Sequence, residues 1–418
     1  MSCSVFSSRK TLLENLTGIS MADFVHSYWG KKYLHASSGV NVLQALLGGR
    51  WGVAEFRAAI ERGYRWPGSP HTLQALPVSG QSHLEQRRIS PEELDDALAS
   101  GATIIGDALD EHLLTVAATL KDQLNVPGPV STYGSLSAAG EGAVPHYDSS
   151  HVFVLQLEGR KQWRLSPRPV VINPSRGRRI SSDGQIDAAD RVEDEALDQV
   201  AMDCLDTVVL NPGDILYVPI GMVHATEALE RSLSVMFNFA PPRFDSLVEL
   251  LVRRTLCGDA KWRGLPAGAS QESCDYVNEG LACLRDIISD LDANSEEVRA
   301  VWAEMTANMG TMLNSFAESF GSANDARIDP ENRLRVTGRY PVRWSERIDL
   351  EGELRLTVYL GDKQINDSGA GGELLRHILA RGEFTAEEAR HWSGDAFDWD
   401  VVCAYLEGLV QQGLLTIA

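Results

Sequence analysis

Val144-Pro-His-Tyr-Asp-Ser-Ser-His-Val-Phe-Val-Leu-Gln-Leu-Glu-Gly-Arg-Lys-Gln-Trp-Arg-Leu165 is the stretch on which the fold turns. It opens with His146 and Asp148 two positions apart, and residues at i and i+2 of a strand point to one face. Val152–Leu157 is an apolar run of strand type, Glu158-Gly159 is turn chemistry, and Gln162–Leu165 reads as the return strand. A second histidine, His224, ends Pro219-Ile-Gly-Met-Val-His224. Two histidines and a carboxylate fill one face of an octahedral metal and leave the other open to a bidentate co-substrate and dioxygen. That is the ligand set of non-haem Fe(II) oxygenases. By itself, His-x-Asp also fits a buried histidine paired to a carboxylate.

Outward from this stretch the same chemistry repeats. Thr207–Leu210, Ile215–Val218 and Ser232–Phe239 are short β-branched or aromatic runs. Asn211-Pro212-Gly213-Asp214 suits a type II turn, with proline at i+1 and glycine at i+2. Short strands at this spacing predict a small antiparallel barrel or jelly roll. Gly140-Glu-Gly142 ahead of Pro145 permits a close approach to a neighbouring strand, and the turn and strand through Pro219 would carry His224 to the barrel mouth.

Lys161 and Trp163 share one face of their strand, Arg160 and Gln162 the other. A keto acid chelated by a metal needs a cation for its far carboxylate, and an inward lysine supplies it. The alternative is an exposed lysine beside a hairpin turn.

Residues up to about 125 read as mostly helical with loops. Ser20-x-x-Asp23 and Ser90-Pro91-Glu92-Glu93 are helix starts, and Gly101 is a stop. Residues 160–179 carry seven basic residues and no acid, and 183–206 carry nine acids against Arg191. This reads as a solvated, partly self-neutralising loop in preference to a substrate clamp. After Pro241-Pro242 two helical stripes follow, Leu281/Leu284/Ile287/Ile288/Leu291 and Val298/Val301/Trp302/Met305/Met309/Met312. They pack on each other or on a second subunit. Residues 326–418 read strand-rich, then helical, with a capping box at Thr385-Ala-Glu-Glu388, as in a winged-helix module. Its last 47 residues hold three arginines against eight acids, so groove binding is a poor expectation and protein packing a better one.

The 418-residue chain has 38 basic and 58 acidic residues, a formal charge of −20. Such a surface repels phosphate backbones and either favours cationic partners or serves solubility alone. No apolar run approaches membrane-spanning length, and the first ten residues lack the apolar core of a secretory signal. Six scattered cysteines without a Cys-x-x-Cys pair read as free thiols, which implies a reducing cytoplasm.

Pro-His-Tyr-Asp148, Phe153-Val-Leu-Gln-Leu-Glu-Gly-Arg-Lys-Gln-Trp-Arg-Leu165 and Pro212-Gly-Asp-Ile-Leu-Tyr-Val-Pro-Ile-Gly-Met-Val-His224 resemble the JmjC ribosomal oxygenases of the cupin-4 group. These are the bacterial ribosomal-protein arginine hydroxylases and their eukaryotic histidine-hydroxylating relatives. Ser135-Leu-Ser-Ala-Ala-Gly-Glu-Gly-Ala-Val-Pro-His146 is similar to the strand that enters their site. Asp23-Phe24 and Tyr28-Trp29-Gly-Lys-Lys32 are similar to their opening helix. The resemblance implies a mixed α and β chain built on a double-stranded β-helix. It divides into an N-terminal helical part (1–130), catalytic core (131–243), helical dimerisation region (244–325) and winged helix (326–418). It also implies Fe(II) held by His146, Asp148 and His224, with 2-oxoglutarate and O2 as co-substrates and Lys161 on the 2-oxoglutarate carboxylate. Ser135 is a candidate hydroxyl contact, and Ser234 and Asn238 are weaker cofactor-binding candidates. The segment at 166–206 is longer than the resemblance leads one to expect.

The expected activity is hydroxylation, at the β-carbon, of an arginine or histidine in a basic ribosomal protein, by a homodimer that binds neither nucleic acid nor membrane. Alternatives are a tailoring hydroxylase of a biosynthetic peptide, a demethylase, a non-catalytic interaction protein, and a metal-dependent cupin isomerase. The isomerase would more often show His-x-His.

Overall fold

The computed structural model describes residues 11–49, 51–64, 73–76, 87–107, 111–180, 202–257, 260–264, 271–290, 292, 295–307, 327–337, 342–348, 352–360, 363–394 and 396–417. They fall into two compact units, one up to Pro241 and one from Pro242 onward.

The first unit contains α1 (Leu12–Thr17), α2 (Met21–Ser27), β1 (Leu34–Ser37), α3 (Val40–Leu46), α4 (Val53–Tyr64), β2 (Leu73–Leu76), β3 (Arg87–Arg88), α5 (Leu94–Ala99), β4 (Thr103–Asp107) and α6 (Glu111–Leu124). Then come β5 (Val130–Ser137), β6 (His146–Tyr147), β7 (His151–Glu158), β8 (Lys161–Leu165), β9 (Arg178–Arg179), β10 (Asp206–Leu210), β11 (Asp214–Val218), β12 (His224–Ala228) and β13 (Ser232–Phe239). Strands β5 to β8, and again β10 to β13, alternate between two antiparallel sheets, and the short β9 joins the smaller one. One runs β1-β11-β7-β13-β5-β4-β2-β3, the other β10-β8-β12-β6-β9. The four-on-four centre of this arrangement, β11-β7-β13-β5 over β10-β8-β12-β6, is a double-stranded β-helix. The expected jelly roll is present.

Period-two alternation explains the filling. Val152 and Val154 of β7, Trp163 and Leu165 of β8, Leu210, Leu216, Val218 and Met236 pack between the sheets. The opposite face of β7 is covered as well. Phe24 of α2 is fully buried, with ring centroids 5.8 Å from Phe153 and 4.9 Å from Tyr217. Burying one such ring is worth about 1.5–3 kcal/mol. That is why β7 reads as an unbroken apolar run and not as an alternating one. The turn after α2 adds a polar lock. Trp29 stacks on His151 at 3.9 Å, the Gly30 N–H donates to the Tyr217 hydroxyl (2.9 Å), and His151 Nδ1 lies 2.8 Å from that hydroxyl.

Both expected helix starts are found. Ser20 accepts from the Asp23 N–H, and Ser90 with Glu93 closes a capping box, although its first turn is 3-10 helix before α5. Beside its helices, the N-terminal part carries four short strands that the sequence reading did not expect. β1 pairs with β11 at one edge of the larger sheet, β4 with β5 toward the other, and β2 and β3 extend the latter. Each is five residues or shorter and gains its hydrogen bonds from strands distant in sequence.

The second unit contains α7 (Phe244–Cys257), α8 (Gln271–Asp290), α9 (Glu296–Ala307), β14 (Arg333–Val336), β15 (Val342–Ile348), β16 (Leu354–Leu360), β17 (Lys363–Ser368), α10 (Gly369–Arg381), β18 (Glu383–Thr385), α11 (Ala386–Ser393), α12 (Trp399–Gln411) and β19 (Leu415–Ile417). Val298, Val301 and Met305 of α9 pack on Leu247, Leu250 and Leu251 of α7, so that stripe finds its cover there. Ala303 and Ala307 meet Tyr359 of β16. On α8, Val277, Leu281 and Ile288 stay exposed. Met309 and Met312 of the expected stripe lie outside the described residues, as do Met1–Lys10 and 181–201, which hold most of the acidic half of the charged segment. β18-β14-β19 forms one small sheet and β15-β16-β17 another, and α10, α11 and α12 share a core with both. Thr385 and Glu388 close the expected capping box.

Among the described residues no helix is long and apolar enough to cross a membrane. The five described cysteines are free.

Candidate active site

β6 is two residues long, so His146 and Tyr147 lie on it and Asp148 just beyond its end. Tyr147 points into an apolar cluster with Val171, Ile180 and Val223, and its neighbours His146 and Asp148 turn the other way. His224, first residue of β12, is the direct register partner of His146. The ring centroids are 4.1 Å apart. Asp148 Oδ1 lies 3.9 Å from His146 Nε2, and Oδ2 lies 3.6 Å from His224 Nε2. One ligand atom from each of the three falls within 4.8 Å of the others.

Both histidines are held through their other nitrogen. His146 Nδ1 lies 2.7 Å from the Val144 carbonyl, and His224 Nδ1 lies 2.9 Å from the Met222 carbonyl. A carbonyl can only accept, so Nδ1 carries a proton in each ring, and each Nε2 is left facing the centre shared with Asp148. Burial first, then the adjacent His146, push the His224 pKa down to about 4 against the pull of Asp148. His224 is therefore neutral at pH 7, the state a metal ligand requires.

Two glycines make this convergence possible. A Cβ on Gly142 would lie 2.0 Å from the Thr226 carbonyl oxygen. Instead, the chain zips onto β12, the Ala143 N–H donating to Thr226 Oγ1 (2.8 Å) and the Thr226 N–H to the Ala143 carbonyl (2.9 Å). Gly221 has φ +73°, and a Cβ there would lie 1.8 Å from the Val171 carbonyl oxygen. Its N–H donates to the Asp148 carbonyl (2.9 Å), tying the turn before His224 to the carboxylate-bearing segment.

A cavity of about 110 Å³, room for a small organic acid, opens from the triad into the barrel. Lys161 lines its interior and is only 2% exposed. Its Nζ donates to Ser135 Oγ (3.2 Å) and Ser137 Oγ (3.1 Å). Burial lowers its pKa to about 8, so it remains mostly cationic at pH 7. Among the described residues no carboxylate pairs with it. A buried cation held only by hydroxyls fits an anionic ligand better than an empty core. The donor set thus fits a ferrous ion at one end and a carboxylate at the other.

Ser135 is brought into this site as expected. Ser234 and Asn238 do not line the cavity: Ser234 donates to Gln156 Oε1 (2.7 Å), and Asn238 Oδ1 accepts from Ser150 (2.7 Å). Ser137 and Thr103 were not anticipated. Ser137 stands at i+2 from Ser135 and so shares its face, a legible signal. Thr103 Oγ1 donates to Ser137 Oγ (3.0 Å) from β4, and no local pattern reveals that.

Residues 115–247 match the JmjC domain family. The Bacillus subtilis protein YxbC is 24% identical over 302 residues, which are 69% of this chain and 88% of that protein. Human ribosomal oxygenase 1 is 27% identical over 267 residues, 60% of this chain and 38% of that protein. The chain therefore spans well under half of the human relative. The structure of YcfD, a ribosomal oxygenase from Escherichia coli in complex with cobalt and 2-oxoglutarate, superimposes with a TM-score of 0.55 at 18% identity, covering 96% of this chain and 98% of that one. Residues 115–247 are thus similar in sequence to the JmjC domain family, and the chain shares its fold with the Escherichia coli protein.

Proposed function

We propose that this chain is an Fe(II)- and 2-oxoglutarate-dependent oxygenase that hydroxylates a side chain of a protein or peptide. One observation carries the reading. A two-histidine, one-carboxylate cluster and a buried lysine without a carboxylate partner stand at two ends of one cavity. His146, Asp148 and His224 would hold the iron, and Lys161 with Ser135 the far carboxylate of 2-oxoglutarate. When bound, iron with 2-oxoglutarate and O2 supplies oxidative decarboxylation to succinate and CO2, and one oxygen atom enters a C–H bond of the acceptor.

The residues of the chain orient and insulate. Nδ1 bonds fix both imidazoles, Lys161 neutralises the tail, and Val152, Val218, Met236 and Trp163 give the cavity apolar walls that exclude water.

The acceptor we propose is an arginine or histidine of a ribosomal protein, hydroxylated at its β-carbon. The formal charge of −20 favours a basic partner, and the human relative carries ribosomal oxygenase in its name. We further propose cytoplasmic action as a homodimer, with residues 244–325 as dimerisation region and 326–418 as a winged helix that packs on protein. The exposed apolar face of α8 and the order α10, α11, α12, β19 support that division.

Succinate release from 2-oxoglutarate with Fe(II), lost in His146→Ala, tests the chemistry. A +16 Da shift on ribosomal proteins, about one oxygen atom, present only with the active gene, tests the acceptor. Unmodified ribosomal proteins beside active 2-oxoglutarate turnover would redirect the search to another peptide.

A further inference from the structure

Two buried side-chain polar atoms among the described residues find no hydrogen-bond partner, Thr132 Oγ1 and Trp163 Nε1. They are not equivalent. Thr132 is on the face of β5 opposite Tyr133 and Ser135, away from the cavity. Trp163 lines the cavity, and the residue is 3% exposed.

Position makes the indole informative. On β8 the register runs Lys161 against Ala228, Trp163 against Thr226 and Leu165 against His224. Trp163 thus stands between the buried ammonium and the metal-site histidine, on the face it shares with Lys161. Its ring stacks on that of His224, centroids 5.5 Å apart and planes at 23°. Val154, Leu216 and Met222 belong to the same packed cluster, in which phenylalanine would fill the space without leaving a donor unmet. A buried donor with no acceptor carries its whole desolvation penalty, and native interiors rarely keep one. An indole N–H can only donate, so neither Lys161 nor an imidazole N–H can satisfy it. None of the hydroxyls that line the cavity meets it either, and what suits it is an acceptor delivered to the cavity, such as a carboxylate oxygen.

We propose that Trp163 Nε1–H donates to a carboxylate oxygen of the bound 2-oxoglutarate. Trp163 is then a ligand-binding residue placed between the iron ligands and Lys161. This rests on the 2-oxoglutarate reading above. It adds a specificity element: beside a lysine at one end, a second donor along the wall favours a dicarboxylate over an acid with a neutral or cationic tail.

Trp163→Phe in the full chain keeps a ring against His224 and removes the N–H. With Zn(II) in place of iron, calorimetry should show 2-oxoglutarate affinity reduced about tenfold and zinc affinity unchanged. Unaltered 2-oxoglutarate affinity overturns the proposal. So does a parallel loss of zinc and 2-oxoglutarate binding, which would make the indole a packing element only. Should the variant fail to fold, the wild-type chain decides. Its Trp163 indole N–H resonance, with zinc bound, should move downfield as 2-oxoglutarate saturates the site. A resonance that stays fixed at saturation overturns the Trp163 role and leaves the 2-oxoglutarate reading standing. A wild-type chain that binds zinc but no 2-oxoglutarate overturns both.

Discussion

His146 and His224 face each other as a register pair across the β6–β12 ladder, each with Nδ1 tied to a backbone carbonyl two residues before it. This double restraint presents both Nε2 atoms without help from a metal. His224→Ala should therefore leave the fold intact and remove the centre. Calorimetry with Co(II) should show at least a hundredfold weaker binding, and succinate release should vanish. Wild-type metal affinity in that variant would mean the ion sits elsewhere.

Lys161 makes two opposite pH signatures. Its pKa in the fold is lowered by burial to about 8 from 10.5. Between those values the unfolded chain binds the extra proton, so the ligand-free protein should gain stability as pH rises from 8 toward 10.5. 2-Oxoglutarate affinity should fall over the same rise, because the cation that holds the carboxylate is lost. Lys161→Met should flatten both profiles, stabilise the empty protein and weaken 2-oxoglutarate at least tenfold with metal affinity unchanged. Denaturant melts and calorimetry across pH 7–10 check each part.

His151 should make the protein acid-sensitive well above the carboxylate range. Burial under Trp29 lowers its pKa to about 3 from 6.5, so it stays neutral in the fold and charges on unfolding. Its contribution is complete above pH 6.5 and drains away as pH falls toward 3, at about 1.4 kcal/mol per pH unit. Urea unfolding at pH 7, 6 and 5 should show this slope, and His151→Asn should reduce it while lowering stability at pH 7.

Gly142→Ala should cost about 1–3 kcal/mol, because the new methyl group meets the Thr226 carbonyl, which the β8–β12 ladder holds in place. Thermal melts check the cost. A weakened Co(II) affinity in the same variant would follow from the displaced His146 strand.

Strands β7, β8, β10, β11 and β13 were legible because each is an apolar run bounded by turn chemistry, and the triad was legible because β alternation puts His146 and Asp148 on one side. The inward turn of Lys161 followed from Trp163 by the same rule. β1 and β4 were not legible. Thr103-Ile-Ile-Gly-Asp107 is short, stands among helical segments, and owes its form to pairing with Ser137–Tyr133 some thirty positions later. Ser234 and Asn238 shared a face as read, but which polar atoms reach a cavity depends on neighbours such as Gln156 and Ser150, and those contacts exist only after folding. The stripe on α9 was readable as apolar, whereas its cover, α7 together with Tyr359, was a matter of tertiary packing.

Thr103 and Ile105 are wall residues of the cavity, yet they belong to β4, twelve and ten positions before the start of the span that matches the JmjC family. A fragment cut at residues 115–247 would keep every metal-site side chain and Lys161, and would still be breached beside Ser137. Solvent would reach the ammonium through that gap. For this protein the smallest working piece begins well upstream of the conserved-domain border.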